Sequence, residues 1–298
     1  MSGEFLNAPG DGDEMLRHIN DVLQTLGGTG IAPGFDHVAD APVSEAADAP
    51  VEAEFSAFER LYGMDVVLGS SEAARANLQA LETAMAAGAW PRWLPGYVAE
   101  GSISAVFRID VAGRDLVAKM PFLQKEDPEQ DLLWMLRAFS RGKDVSGLAQ
   151  MVSFSRTDPR ALFVENIEGD SLNIVAARER LGLSSFRGLL QTYKEMQLRG
   201  LAADNNSSTN TKVTADGKLV VADYDYDPSQ ELIEKVVEFG SREVLLGDRD
   251  GELSGHVPEY ALLYREACYE ELGPEYADAL THLWQSYGLF VPPLQTGR

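Results

Sequence analysis

The chain has 298 residues, a formal net charge of −22, 45% apolar and 9% aromatic residues, the profile of a globular protein with length enough for a sizeable core. Its acidity excludes nonspecific nucleic-acid binding and docking on an anionic membrane, since both need clustered Lys and Arg. A single cysteine, Cys268, excludes an internal disulfide framework and a Cys-based zinc site.

No apolar run approaches a membrane-spanning length, and residues 1–14 lack the basic and apolar regions of a signal peptide. A cytoplasmic protein is therefore expected, with export by a signal-less route left open. Residues 1–54 form an acidic extension, dominated after residue 27 by Ala, Pro, Gly and acidic side chains, and read as poorly ordered. One short helix over 13–26, with Leu16, Ile19, Leu23 and Leu26 on one face, is either a docking segment or a frayed extension.

Ordered structure is expected from Phe55. Ser70 and Ser71 cap a helix over 72–87 with Leu78, Leu81 and Met85 inward and Gly88 at its end. Trp90, Trp93 and Tyr97 cluster around Pro91 and Pro95 and are expected to wedge this helix against a sheet. Two β-rich runs flank a small-residue turn at 100–104, and Ala112-Gly113 turns the chain into the strand that carries Lys119. A helix over 129–139 follows, with Leu132, Leu133, Leu136 and Phe139 as its apolar face. Strands at 148–155 and 161–165 then lead into Glu165-Asn166-Ile167-Glu168-Gly169, where Gly169 is expected to supply a bend.

The most informative stretch runs from residue 190 to residue 227. Leu190, Tyr193, Met196 and Gln197 recur at helical spacing up to Arg199-Gly200. The polar run 204–210 is too rich in turn formers for a regular element. Strand-like pieces at 211–214 and 218–222 flank Ala215-Asp216-Gly217, a strong hairpin signal. The second piece ends on Asp223, Asp225 and Asp227, separated by tyrosines. Helices over 230–239, 258–272 and 274–287 complete the chain.

Helix, polar loop, hairpin and strand-end carboxylates together resemble the catalytic segment of the protein-kinase-like superfamily, in the style of aminoglycoside phosphotransferases and small atypical bacterial kinases. The resemblance implies an α+β, bilobal fold. A strand-rich lobe with leading helices would span 55–163 and a helical lobe 164–298, behind the 1–54 extension. It implies ATP and Mg²⁺, with Asn210 and Asp223 as metal ligands. Ala99, Gly101 and Ser104 stand at the three glycines of the nucleotide-covering loop, so Gly101, Ser102 and Ser104 would lie over the phosphates, although two of the three glycines are missing. Lys119, after Val117-Ala118, matches the phosphate-binding lysine, and Glu129 its helical partner, with Glu126 as competitor. Glu165 and Ile167 fall where backbone pairs with adenine. The partners implied are a nucleotide and an acceptor of unassigned class, small molecule, peptide or protein. No Ala-Pro-Glu motif follows, which speaks against a regulated eukaryotic-type protein kinase.

One departure bears on mechanism. The catalytic Asp belongs five residues before Asn210, where the chain has Asn205; Asp204 stands one residue early. An amide cannot accept a proton as a carboxylate does. Three readings stay open: Asp204 serves as base, transfer proceeds without a base (adenylyl transfer included), or the chain is a pseudokinase that binds nucleotide or a partner without turnover.

Overall fold

The computed structural model describes residues 51–64, 66–101, 103–122, 127–157, 159–172, 174–203, 210–243 and 256–294. The expected helix over 13–26 lies outside them, as does most of the extension. The first described helix, α1 (Val51–Tyr62), begins four residues before Phe55, because Glu52 and Glu54 of its first turn find arginine partners and Phe55 and Phe58 are buried. A short turn of helix, α2 (Val66–Gly69), leads to α3 (Glu72–Ala86). The Ser71 hydroxyl caps α3 by accepting from the Ala74 amide at 3.2 Å.

After α3 the expectation of a buried tryptophan wedge fails. Pro91 opens a single 3₁₀ turn, Pro91–Trp93, which leaves Trp90 60% and Trp93 76% exposed. The Arg92 guanidinium lies 4.7 Å and 5.3 Å from the two ring centroids, so the rings stack on a cation at the surface. Only Tyr97 turns inward, packing edge-on to Phe107 at 6.3 Å.

Five antiparallel strands form the main sheet: β1 (Tyr97–Glu100), β2 (Ser104–Val111), β3 (Arg114–Pro121), β4 (Met151–Ser155) and β5 (Ala161–Glu165), in the order β1-β2-β3-β5-β4. Ala112 and Gly113 make the two-residue β2–β3 turn with φ of 55° and 81°, the left-handed pair that a tight hairpin requires. The period of two sorts the sheet's faces. Phe107, Ala118 and Phe163 stand in register and pack with Leu78 and Leu81 of α3. Lys119, Leu162 and Phe154 stand in the next register row, and the latter two join the core of α4 (Pro128–Arg141), the helix between β3 and β4.

The second half continues with β6 (Asp170–Ser171), α5 (Val175–Arg178), α6 (Leu183–Leu198), β7 (Leu201–Ala203), the hairpin β8 (Thr211–Val213) and β9 (Leu219–Val221), and β10 (Tyr224–Tyr226). Helix α7 (Leu232–Glu238) runs into a π-helical turn, and α8 (Glu259–Glu271) and α9 (Pro274–Ser286) follow. The small strands pair as β6-β8-β9 and β7-β10. The architecture is a mixed one, a five-stranded antiparallel sheet with helices. One hydrophobic cluster runs from Phe55 through α4 and α6 to Trp284, so the α4 face of the sheet shares its core with the helices of the second half. No helix among the described residues is long and apolar enough to cross a membrane.

Candidate functional site

Lys119 is the central side chain of the site. Its β3 register turns it onto the α4 face, where it is 5% exposed. Its Nζ forms an ion pair with the Asp223 carboxylate, 104 residues away, and lies 4.8 Å from the Phe139 ring centroid. A buried ammonium needs a counter-charge or hydrogen-bond acceptors to offset its lost hydration, and here a carboxylate supplies it. Asp223 is well held. The next residue, Tyr224, is buried, donates its hydroxyl to the Ala149 carbonyl at 2.9 Å and stacks on Phe139 at 4.6 Å. A Cβ at Gly142 would meet the Tyr224 hydroxyl at 2.3 Å, so glycine there admits the ring.

Beside this pair opens a cleft of about 250 Å³, with Lys119 at its floor, Asp223 and Asp225 on one wall, Gln130, Asp131 and Trp134 of α4 on another, and Gly101 and Ser104 at the lip. The lip is a tight β1–β2 turn: the Gly101 amide donates to the Ser104 carbonyl at 2.9 Å. Asn210 approaches from the start of β8. Its carbonyl accepts from the Ala222 amide at 2.6 Å, which sets it beside the residue before Asp223. Strand β7 ends on the same spot, with Ala203 in register with Tyr224. The connection that carries Asp204 and Asn205 therefore starts and ends next to Asp223, although those two residues, like Ser102 and Glu126, lie outside the described residues.

Glu129 is a correction. It pairs with Arg156, not with Lys119. The helix explains it: the Asp127 carboxylate caps α4 by accepting from the Gln130 amide at 2.9 Å, and residues two apart on a helix point about 200° apart. Asp131 therefore faces the cleft and Glu129 the opposite side. Asp131 Oδ2 is buried with no hydrogen-bond partner among the described residues. Its signal in the sequence was Met135, one helical turn on, which also lines the cleft.

Glu165 and Ile167 do not line this cleft. Glu165 is exposed at the end of β5, and Ile167 packs half-buried against the core. Gly169 also permits a close approach: a Cβ there would meet the Val213 carbonyl oxygen at 2.8 Å.

The sequence matches no protein-family model and none of the curated proteins.

Among the described residues no group of three His, Cys, Asp or Glu forms a ready-made metal site. The Asp223 carboxylate, with 37% of its side chain exposed, is a hard oxygen donor at the cleft. Asn210 does not line the cleft; its backbone carbonyl is held by the Ala222 amide, next to Asp223 in the chain. A carboxylate so placed fits Mg²⁺, which keeps several waters and takes one or two protein ligands beside a phosphate.

Proposed function

We propose that the protein is a kinase-like, ATP- and Mg²⁺-dependent transferase, bilobal in the protein-kinase manner, with the nucleotide phosphates in the Lys119–Asp223 cleft. The observation that carries this reading is the meeting of Lys119 and Asp223, far apart in sequence, at the floor of a cleft whose lip is the small-residue turn at Gly101 and Ser104. A buried lysine beside an acidic strand end is the pairing that phosphate and its metal require. In this reading Asn210 and Asp223 hold Mg²⁺, which when bound neutralises charge on the phosphates. Lys119 exchanges its contact with Asp223 for one with phosphate oxygen, and the small residues Gly101 and Ser104 leave the lip open to the same anion. The cleft volume suits a di- or triphosphate better than a whole nucleotide. Seating adenine against 165–167 therefore includes a widening of the cleft.

A second reading has an observation of its own. Asn205 stands where a carboxylate is expected, and Glu129 is committed to Arg156. Both suit a protein that binds nucleotide, or a partner, without turning it over. One experiment separates the readings: purified protein is incubated with ATP labelled at the γ- or the α-phosphate, together with cell extract. Label transferred from γ marks a phosphotransferase, and label transferred from α alone an adenylyl transferase. Binding without transfer leaves the silent binder. An absent thermal shift with millimolar ATP and Mg²⁺ overturns the transferase and the silent nucleotide binder alike, leaving only a partner-binding protein, since saturating ligand at about 100 times Kd adds about 2.7 kcal/mol.

A further inference from the structure

The face of α4 turned away from the cleft is tied to α1 at three levels. Glu54 and Arg137 form a two-pronged ion pair at 2.8 and 2.7 Å, with side chains only 13% and 23% exposed. Arg156, from the end of β4, holds Glu52 of α1 with two bonds at 2.7 and 2.6 Å and Glu129 of α4 with a third. At the far end the Tyr62 hydroxyl donates to the Ser140 carbonyl at 3.5 Å. Between these ties Phe55 and Phe58 are buried in the core that α4 shares.

Paired forks of this kind fix orientation as well as distance. A rotation of α4 about its axis that moved Asp131 off the cleft would have to break the Glu54–Arg137 fork and the Arg156–Glu129 contact. We propose that α1 is a positioning strap: the Glu54–Arg137 and Glu52–Arg156–Glu129 ties set the rotation of α4, and through it the placement of Asp131 and Trp134 in the Lys119 cleft. Arg137, Arg156 and Glu129 are then positioning residues. Glu129 serves the site from behind, through Arg156.

The test reads two quantities in the full chain: hydrogen exchange of α4 and β3, and the Kd for ATP with Mg²⁺. The second rests on the function proposed above; the first does not. Glu54→Gln removes one fork while keeping the side chain's shape, and the swap Glu54→Arg with Arg137→Glu restores a pair of opposite sense. The strap predicts faster exchange in α4 with α6 unchanged, and ATP binding weakened by about 5- to 20-fold, the size of an ordinary coupling between sites. The swap should recover most of both. Glu52→Gln and Glu129→Gln should act alike and not add, since each loosens the same arginine. Exchange and Kd unchanged in Glu54→Gln, or an effect of Glu129→Gln with none of Glu52→Gln, overturns the strap while leaving the nucleotide reading in place. If no variant and no wild-type protein binds ATP, the function reading fails, and the exchange rates alone decide the strap.

Discussion

Among the described residues two lysines are almost completely buried, and they stand in regions of opposite kind. Lys119 in the sheet is 5% exposed, meets the Asp223 carboxylate and opens on a cleft. Lys235 in α7 is 0% exposed and donates to the Gln197 side-chain carbonyl at 2.8 Å and the Gln230 backbone carbonyl at 2.6 Å. Burial pushes the Lys235 ammonium down to about 8, against the pull of Glu234, Asp227, Glu238 and Glu231. Lys235 ties α7 to α6 and to the chain before it. The difference teaches that burial alone does not mark a functional cation; a partner that a ligand can replace, and room for that ligand, do.

The sharpest way to break this comparison is to remove each ammonium in turn. Lys119→Met should raise the Kd for ATP with Mg²⁺ by about 10²-fold or more, the scale of losing a charge-assisted contact of 1.5–3 kcal/mol together with its metal partner. Lys235→Met should leave that Kd unchanged. Equal losses in both, measured by calorimetric titration, would dissolve the distinction. Turnover sharpens it further. If Asp204 is the base, Asp204→Asn lowers transfer from labelled ATP by about 10²-fold with binding intact. In a base-free enzyme it changes little, and Asn205→Asp raises the rate.

A smaller effect is expected at Asp131. Asp131→Asn removes a carboxylate whose buried Oδ2 has no hydrogen-bond partner among the described residues, so the melting temperature should hold or rise while ATP binding weakens by about tenfold, a stability–function exchange. A fall in both would make Asp131 a structural residue instead. The mildest test uses pH. The folded Lys235 is depressed to about 8 from an ordinary 10.5, so between those values the unfolded chain holds a proton that the folded chain has released. Stability then rises with pH across that window, and the cost of the buried charge is present in full below it. Melting curves of wild type and Lys235→Met should converge from pH 8 toward pH 10.5. A constant gap would show that the lysine titrates normally.

Much of the site was legible because it rests on local patterns. Val117-Ala118-Lys119 lies on a strand whose alternation decides which face the lysine takes, and Asp216-Gly217 closes a hairpin that delivers Asp223. Helix periodicity also gave Leu132, Leu133 and Leu136 their buried places. What escaped depends on rotation or on distant backbone. Choosing between Glu129 and Asp131 requires knowing which side of α4 meets the sheet, and that is set by Arg156 and Arg137 meeting glutamates of a helix more than seventy residues earlier. At Gly169 the fold adds a reason for glycine that no local pattern carries, the Val213 carbonyl that a Cβ would meet. Trp90 and Trp93 looked like core by size alone, and a 3₁₀ turn with an arginine between them holds them outside.

The two anchors beside Asp223 have a polymer consequence. Ala203 is in register with Tyr224, and the Asn210 carbonyl takes the Ala222 amide, so the residues that flank the connection 204–209 are anchored within three residues of chain around Asp223. Ring closure depends weakly on contour length: doubling it costs about 0.6 kcal/mol. A Gly-Ser insert after residue 206 should therefore leave folding nearly untouched, since both anchors stay in place. The chain length between these anchors can be varied without disturbing the strands that set Asp223.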